Sequence, residues 1–146
     1  MEVQLLFPGS YCMAKLALTN GESIRAESGA MVAMSDTVDV EGKAEGGVMG
    51  MFKRAFSGES LFLQTLKAAR GAGEVFVSPS EPGDVQLLEL NGATEYFIQK
   101  GGFLAAEDSV TMETVSQGFF KGFMSGEGMF IQKASGKGKL LISSFG

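Results

Sequence analysis

Two carboxylates, Glu59 and Glu127, follow Ser-Gly in matching strings, Ser57-Gly58-Glu59 and Ser125-Gly126-Glu127, 68 residues apart. A carboxylate pair whose pKa values are driven apart can work as general acid and base. The same pattern has a structural use: a carboxylate after Ser-Gly accepts backbone N–H groups and fixes a turn, and equivalent sites in a repeated chain stand apart. The structural reading is the stronger. Asp36 with Asp108 and Glu41 with Glu113, each 72 residues apart, recur in the same way, as a turn residue and a solvent-facing strand position. Ser135-Gly136-Lys137-Gly138-Lys139 has the glycines and lysines of a phosphate loop, but it lacks the P-loop spacing and no helix follows. It reads as a basic hairpin turn. The chain has no His, which removes the commonest general base, zinc ligand and pH switch. No serine stands in a nucleophile-elbow frame, and there is no EF-hand loop. The lone Cys12, between Tyr11 and Met13 in an apolar run, reads as a buried strand thiol without an intrachain disulfide partner. The expectation is a non-enzymatic protein with no catalytic residue, cofactor or metal site.

The two carboxylates belong to a repeated stretch that organises the chain. Residues 46–62 read GGVMGMFKRAFSGESLF, and residues 117–130 return as QGFFKGFMSGEGMF. Each runs from a Gly-, Phe- and Met-rich loop through Ser-Gly-Glu into an apolar strand, which marks an internal repeat. Met51, Phe52 and Phe56 in the first loop, with Phe119, Phe120, Phe123 and Met124 in the second, are too apolar for idle surface. Three uses compete: capping the core, burial against another subunit, or entry into a membrane surface with Lys53, Arg54 and Lys121 near anionic headgroups. The loops with Glu59 and Glu127 form the candidate interaction site.

The rest of the chain reads as short strands. These are residues 2–7, 11–18, 22–27, 30–34, 37–40, 60–66 and 73–78, then 85–90, 101–106 and 138–144. Asn20-Gly21 is a hairpin signal, so 22–27 is expected to pair back on 11–18. Ser78 to Asp84 is the sharpest break, holding two of the three prolines. The order then repeats: Pro82-Gly83 after Pro8-Gly9, Asn91-Gly92 after Asn20-Gly21, and GGFLAA at 101–106 after GAMVAM at 29–34. Helix is scarce; the one candidate, 48–56, is interrupted by Gly50 and reads as a loop with at most a helical turn.

At 146 residues, with 45% hydrophobic and 20% charged residues, the chain is expected to form one domain, 1–146, with internal repeats at about 8–81 and 82–146. There are 21 glycines and three prolines, which suit many tight turns better than a disordered linker. The net charge of -5 argues against a nucleic-acid partner. The opening MEVQLLF lacks the features of a secretory signal, and no apolar run is long enough to span a bilayer, so a cytoplasmic location is expected.

The strings Ala26-Glu27-Ser28-Gly29-Ala30-Met31-Val32, Lys53-Arg54 and Ser57 to Phe62, with Gln99 to Ala106 and Ser125-Gly126-Glu127-Gly128, resemble the Altered Inheritance of Mitochondria twenty-four family along the whole chain. The resemblance implies an all-β fold like that of the tryptophan RNA-binding attenuation protein (TRAP-like), a duplicated β-barrel or double-stranded β-helix with little or no helix. It implies no established catalytic activity, and a link to the mitochondrial inner membrane and its organisation in its eukaryotic branch. Family members usually carry a third unit after the position of Ser143-Ser144-Phe145-Gly146, so the expectation is either a short member or a truncated product; a short member would leave an open sheet edge that invites pairing. The expectation is a self-associating scaffold or binding module, a homo-oligomer with a trimer favoured, in contact with itself and with a protein partner or membrane surface. The alternatives are a small-ligand or RNA-binding module by fold analogy and, last, an enzyme.

Overall fold

In Met13–Leu18, Ala14, Leu16 and Leu18 are buried while Met13, Lys15 and Ala17 are partly exposed. That period of two is what a half-buried strand requires. The same alternation runs through Ser23–Glu27, where Ile24 and Ala26 are buried. In the computed structural model, which describes residues 1–41, 63–99, 101–115 and 131–145, such segments form twelve strands. They are β1 (Glu2–Leu6), β2 (Met13–Leu18), β3 (Ser23–Glu27), β4 (Met31–Met34), β5 (Asp39–Glu41) and β6 (Leu63–Lys67), then β7 (Gly73–Val77), β8 (Gly83–Asn91), β9 (Tyr96–Gln99), β10 (Phe103–Glu107), β11 (Val110–Val115) and β12 (Ile131–Phe145). There is no helix among the described residues, and hence none able to cross a membrane. The helical-turn candidate at 48–56 lies outside them.

The strands form two sheets, and all their pairings are antiparallel. One runs β1-β2-β7-β4; the other runs β11-β12-β10-β3-β6-β5, with β8 and β9 also on β12. Leu16, Val75 and Val77 of the first sheet share a core with Ile24, Leu66, Leu104 and Leu141 of the second. A second core holds Leu90, Ile98, Phe103, Val110, Ala134 and Leu140. β10 lies between the two: Leu104 and Ala105 belong to the first core, Phe103 and Ala106 to the second. Burial on both faces accounts for its unbroken apolar run.

Two local expectations are corrected. Asn20-Gly21 does form a tight turn, with Gly21 at φ +84°, but not a hairpin. β2 pairs with β1 and β7, whereas β3 pairs with β6 and β10. The turn carries the chain from one sheet to the other, and its backbone bonds to Ala68 (Gly21 N–H to Ala68 carbonyl, 2.8 Å; Ala68 N–H to Glu22 carbonyl, 2.9 Å). Residues 135–139 are not a hairpin turn either. They lie inside β12, a continuous 15-residue strand whose first part pairs with β11 and β9 and whose second part pairs with β8 and β10. Gly136 adopts φ +98°, and a Cβ there would stand 2.6 Å from the Ser109 carbonyl oxygen. The glycine lets the strand turn from one set of neighbours to the other without a break.

The pairings come in matching sets. β2 pairs with β7, β3 with β6, β4 with β7 and β5 with β6. In the same chain order, β8, β9, β10 and β11 each pair with β12. The registers agree residue by residue. Ile24 opposite Leu66 corresponds to Tyr96 opposite Ala134, and Val40 opposite Leu66 to Met112 opposite Ala134. The irregularity between Met31 and Ala33 on β4 has its counterpart between Phe103 and Ala105 on β10.

Candidate functional site

The chain between β7 and β8, rich in Pro and Ser, crosses the start of β2 and leaves a cleft of about 170 Å³. Ser10, Tyr11, Cys12 and residues 78–83 line it. The walls are tied to each other. Cys12 N–H donates to the Gly83 carbonyl at 3.2 Å, and Ser78 Oγ to the Cys12 carbonyl at 3.3 Å. A Cβ on Gly83 would lie 2.2 Å from the Ser144 carbonyl oxygen, so only glycine fits this crossing. Burial pushes the Cys12 thiol up, away from the thiolate form a nucleophile needs. Asp84, beside the cleft, accepts the N–H groups of Gly9 (3.1 Å) and Val85 (2.9 Å), which hold its carboxyl below the usual range. Its role is to fix the turn. The cleft offers hydroxyls for hydrogen bonding but no imidazole to activate them, since the chain has no His. Among the described residues there is no group of three or more Cys, Asp or Glu side chains placed to hold a metal ion.

The more distinctive surface is apolar. β4 and β10 occupy equivalent places in the two sets of pairings, and their residues correspond 72 positions apart. On β10, Phe103, Leu104, Ala105 and Ala106 are all buried. On β4, Met31 is half-buried and Ala33 exposed, while Val32 is 55% and Met34 37% exposed. The difference lies in the neighbours. β10 is flanked by β12 and β3, whereas β4 has β7 on one side and no second strand among the described residues. β3 and β9 differ in the same sense. β3 lies between β6 and β10, but β9 pairs with β12 alone among the described strands, and Phe97 on β9 is 48% exposed.

The β10·β3 contact is a latched seam. Ala105, Ala106 and Glu107 stand opposite Ala26, Arg25 and Ile24. Arg25 reaches across to donate to the carbonyls of Asp108 (3.1 Å) and Val110, with its Nε 3.7 Å from the Asp108 carboxylate, and Ser23 Oγ donates to that same carboxylate. At β4 the carbonyl equivalent to that of Asp108 belongs to Asp36. It accepts Arg70, which also pairs with Asp39. Each backbone carbonyl is capped by an arginine, one across the seam and one from its own side.

The sequence-derived site is not among the described residues. Met51, Phe52, Lys53, Arg54, Phe56 and Glu59, with Phe119, Phe120, Lys121, Phe123, Met124 and Glu127, all fall outside the described residues. Glu41 and Glu113 do take solvent-facing positions, pairing with Lys67 (3.4 Å) and Lys133 (3.2 Å). Cys12 is fully buried. Sequence reasoning passed over Val32, Met34 and Phe97 as surface residues. The available signal was the run Met31 to Met34, which lacks alternation and so asks for cover on both faces.

Known proteins place the chain. The sequence model described as "Mitochondrial biogenesis AIM24" matches residues 4–146. An uncharacterized protein, M6_Spy0233 of Streptococcus pyogenes serotype M6, is 31% identical over 142 residues, covering 92% of this chain. The crystal structure of protein SPYM3_0169 from Streptococcus pyogenes superposes with a TM-score of 0.79 at 27% identity, over 99% of this chain. The chain spans 56% of the length of the first relative and 65% of the second. With a family match over nearly its whole length and a relative of the same fold, the chain belongs to the AIM24 mitochondrial biogenesis family.

Proposed function

We propose that the protein is a non-enzymatic, self-associating β protein that works as a scaffold or binding module. The observation that carries this reading is β4, an edge strand whose Val32 and Met34 stand in water while the equivalent residues of β10 are buried. Open apolar edges are templates for pairing with another chain, and soluble monomers normally blunt them with charge, proline or cover. The matched pairings support a duplication over about residues 8–81 and 82–146, arranged as a barrel-like double-stranded β-helix of the TRAP-like kind. Identical adhesive edges on identical chains favour a closed homo-oligomer, and family resemblance favours a trimer. The paired loops, with Phe52, Phe56, Phe119 and Phe123 beside Lys53, Arg54 and Lys121, are the proposed contact with a partner protein or an anionic membrane surface. That role agrees with the family's description in mitochondrial biogenesis and leaves a cytoplasmic or membrane-peripheral location. The net charge of -5 weighs against the RNA-binding alternative.

Light scattering at micromolar concentration tests self-association. The expected mass is a small multiple of 15.4 kDa, and the monomer mass would overturn the reading. Sedimentation with anionic liposomes tests the membrane arm. Phe52→Asp with Phe123→Asp should abolish it, and added salt should weaken it in the unaltered chain. Binding unchanged by the paired substitution removes the loops from the proposal.

A further inference from the structure

We infer that the cleft between the β7–β8 link and the start of β2 binds an alkylated ammonium group, of the kind choline carries, through the Tyr11 ring and the Glu81 carboxylate. The inference does not depend on self-association and stands or falls apart from it.

The chemistry of the lining selects the ligand class. The volume of the cleft, about 170 Å³, slightly exceeds the roughly 150 Å³ of a cavity that admits benzene, so a compact group such as trimethylammonium fits. No Lys or Arg is among the lining residues; the one charged group is the Glu81 carboxylate, and Asp84 follows beside the cleft. An anion would meet two carboxylates and no cation there. The backbone N–H groups of Gly9, Cys12, Ser78 and Val85 are already spent on the chain's own oxygens. A bare metal ion asks for several oxygen ligands together, and the described residues hold no group of three acidic or thiol side chains placed for one. What the cleft presents is a π face on Tyr11, a carboxylate on Glu81, hydroxyl oxygens on Ser10 and Ser80, and the apolar rings of Pro79 and Pro82. An alkylated ammonium matches all of these. Its methyl groups pack on the rings, while its charge is drawn to the negative face of the tyrosine and to the carboxylate. Tyr11, 77% exposed, and Glu81, also exposed, are both open to a ligand arriving from solvent.

The cleft is also built in advance. Tyr11 is bridged to Gly83, the Cys12 N–H donates to the Gly83 carbonyl at 3.2 Å, and Ser78 Oγ donates to the Cys12 carbonyl at 3.3 Å. These bonds tie the β2 wall to the link that faces it. Pro79 and Pro82 fix the backbone of the link on either side of Ser80 and Glu81. Walls held in this way lose little freedom when a ligand enters. The net charge of -5 favours the approach of a cation over that of an anion.

The test is saturation-transfer NMR on the methyl protons of choline chloride added to the whole chain, at constant ionic strength. The neutral isostere 3,3-dimethylbutan-1-ol serves as the control for shape without charge. The expected result is a saturable choline signal, with the isostere at least about tenfold weaker. Tyr11→Leu and Glu81→Gln should each weaken choline by about tenfold, whereas Tyr11→Phe, which keeps the ring face, should stay within about twofold. Circular dichroism should be unchanged in all three, since both positions are exposed. Sedimentation with phosphatidylcholine vesicles then separates the sources of the group. Retention lost in Tyr11→Leu assigns a lipid head group, and choline binding without retention assigns a soluble ligand. No saturable choline signal, an isostere that binds as well as choline, or either Tyr11→Leu or Glu81→Gln binding like the unaltered chain overturns the inference and leaves self-association untouched.

Discussion

β4 and β10 hold corresponding places in the strand pairings, in two environments. Their strand irregularity, inner neighbours and apolar runs correspond, yet one is buried along its apolar length and the other is largely wet. Intrinsic strand preference therefore does not decide burial here; the second neighbour does. Completing a seam removes apolar side chains from water, at about 1.5–3 kcal/mol for each large side chain fully buried. It also pairs a row of backbone groups and, at β10·β3, permits the Arg25 latch. Among the described residues the β4 edge has none of these gains.

The sharpest way to break this comparison is to truncate the same position in both strands. Leu104→Ala should destabilise the fold by about 2–5 kcal/mol, because the residue is fully buried and leaves a cavity. Val32→Ala should change stability by no more than about 0.5 kcal/mol in urea titrations dilute enough to keep the chains single. Equal costs would mean that β4 is covered within one chain. A cost for Val32→Ala that grows with protein concentration would sharpen the comparison, since association stabilises only the folded state.

The arginine caps should differ in the same direction by a smaller amount. Arg25→Met removes hydrogen bonds that bridge the seam from a side chain only 25% exposed, and about 1.5–3 kcal/mol is expected. Arg70→Met removes bonds from a side chain 57% exposed, where solvent screening should keep the loss below about 1 kcal/mol. Thermal melts of the two variants side by side would show the order, and an inverted order would count against the seam as the stronger junction.

The smallest effect is that of pH. Burial pushes the Glu27 carboxyl above its ordinary value of 4.5, so its contribution to stability is fully present below that value and is lost as pH rises through the raised one. Asp84 behaves oppositely. The N–H groups of Gly9 and Val85 lower it below 3.8, so its contribution is present above that value and lost as pH falls through the lowered one. Urea midpoints across the acid range should therefore fall less steeply at the acid end in Asp84→Asn and lie higher near neutral pH in Glu27→Gln. Two variants that both track the unaltered chain would refute these assignments.

What the sequence determined by itself is local. The period of two in β2 and β3, the positive-φ glycine in the turn after Asn20, the burial of Cys12 and the paired strings of the two halves all follow from nearest-neighbour geometry and spacing. They were sufficient for an all-β fold and for family membership. The tertiary structure alone decided which strand lies beside which. Asn20-Gly21 has the chemistry of a hairpin, but β2 and β3 go to different sheets, because the pairing of β3 is settled by β6 and β10. Residues 135–139 have the composition of a turn, but strands on both sides keep them inside β12, with Gly136 at φ +98° letting the strand change neighbours without a break. GAMVAM and GGFLAA read alike in sequence and differ in burial for the same reason. A strand's own residues set its pleat and its faces, whereas the hydrogen bonds along its edges depend on distant chain, and no local pattern records whether that chain is present.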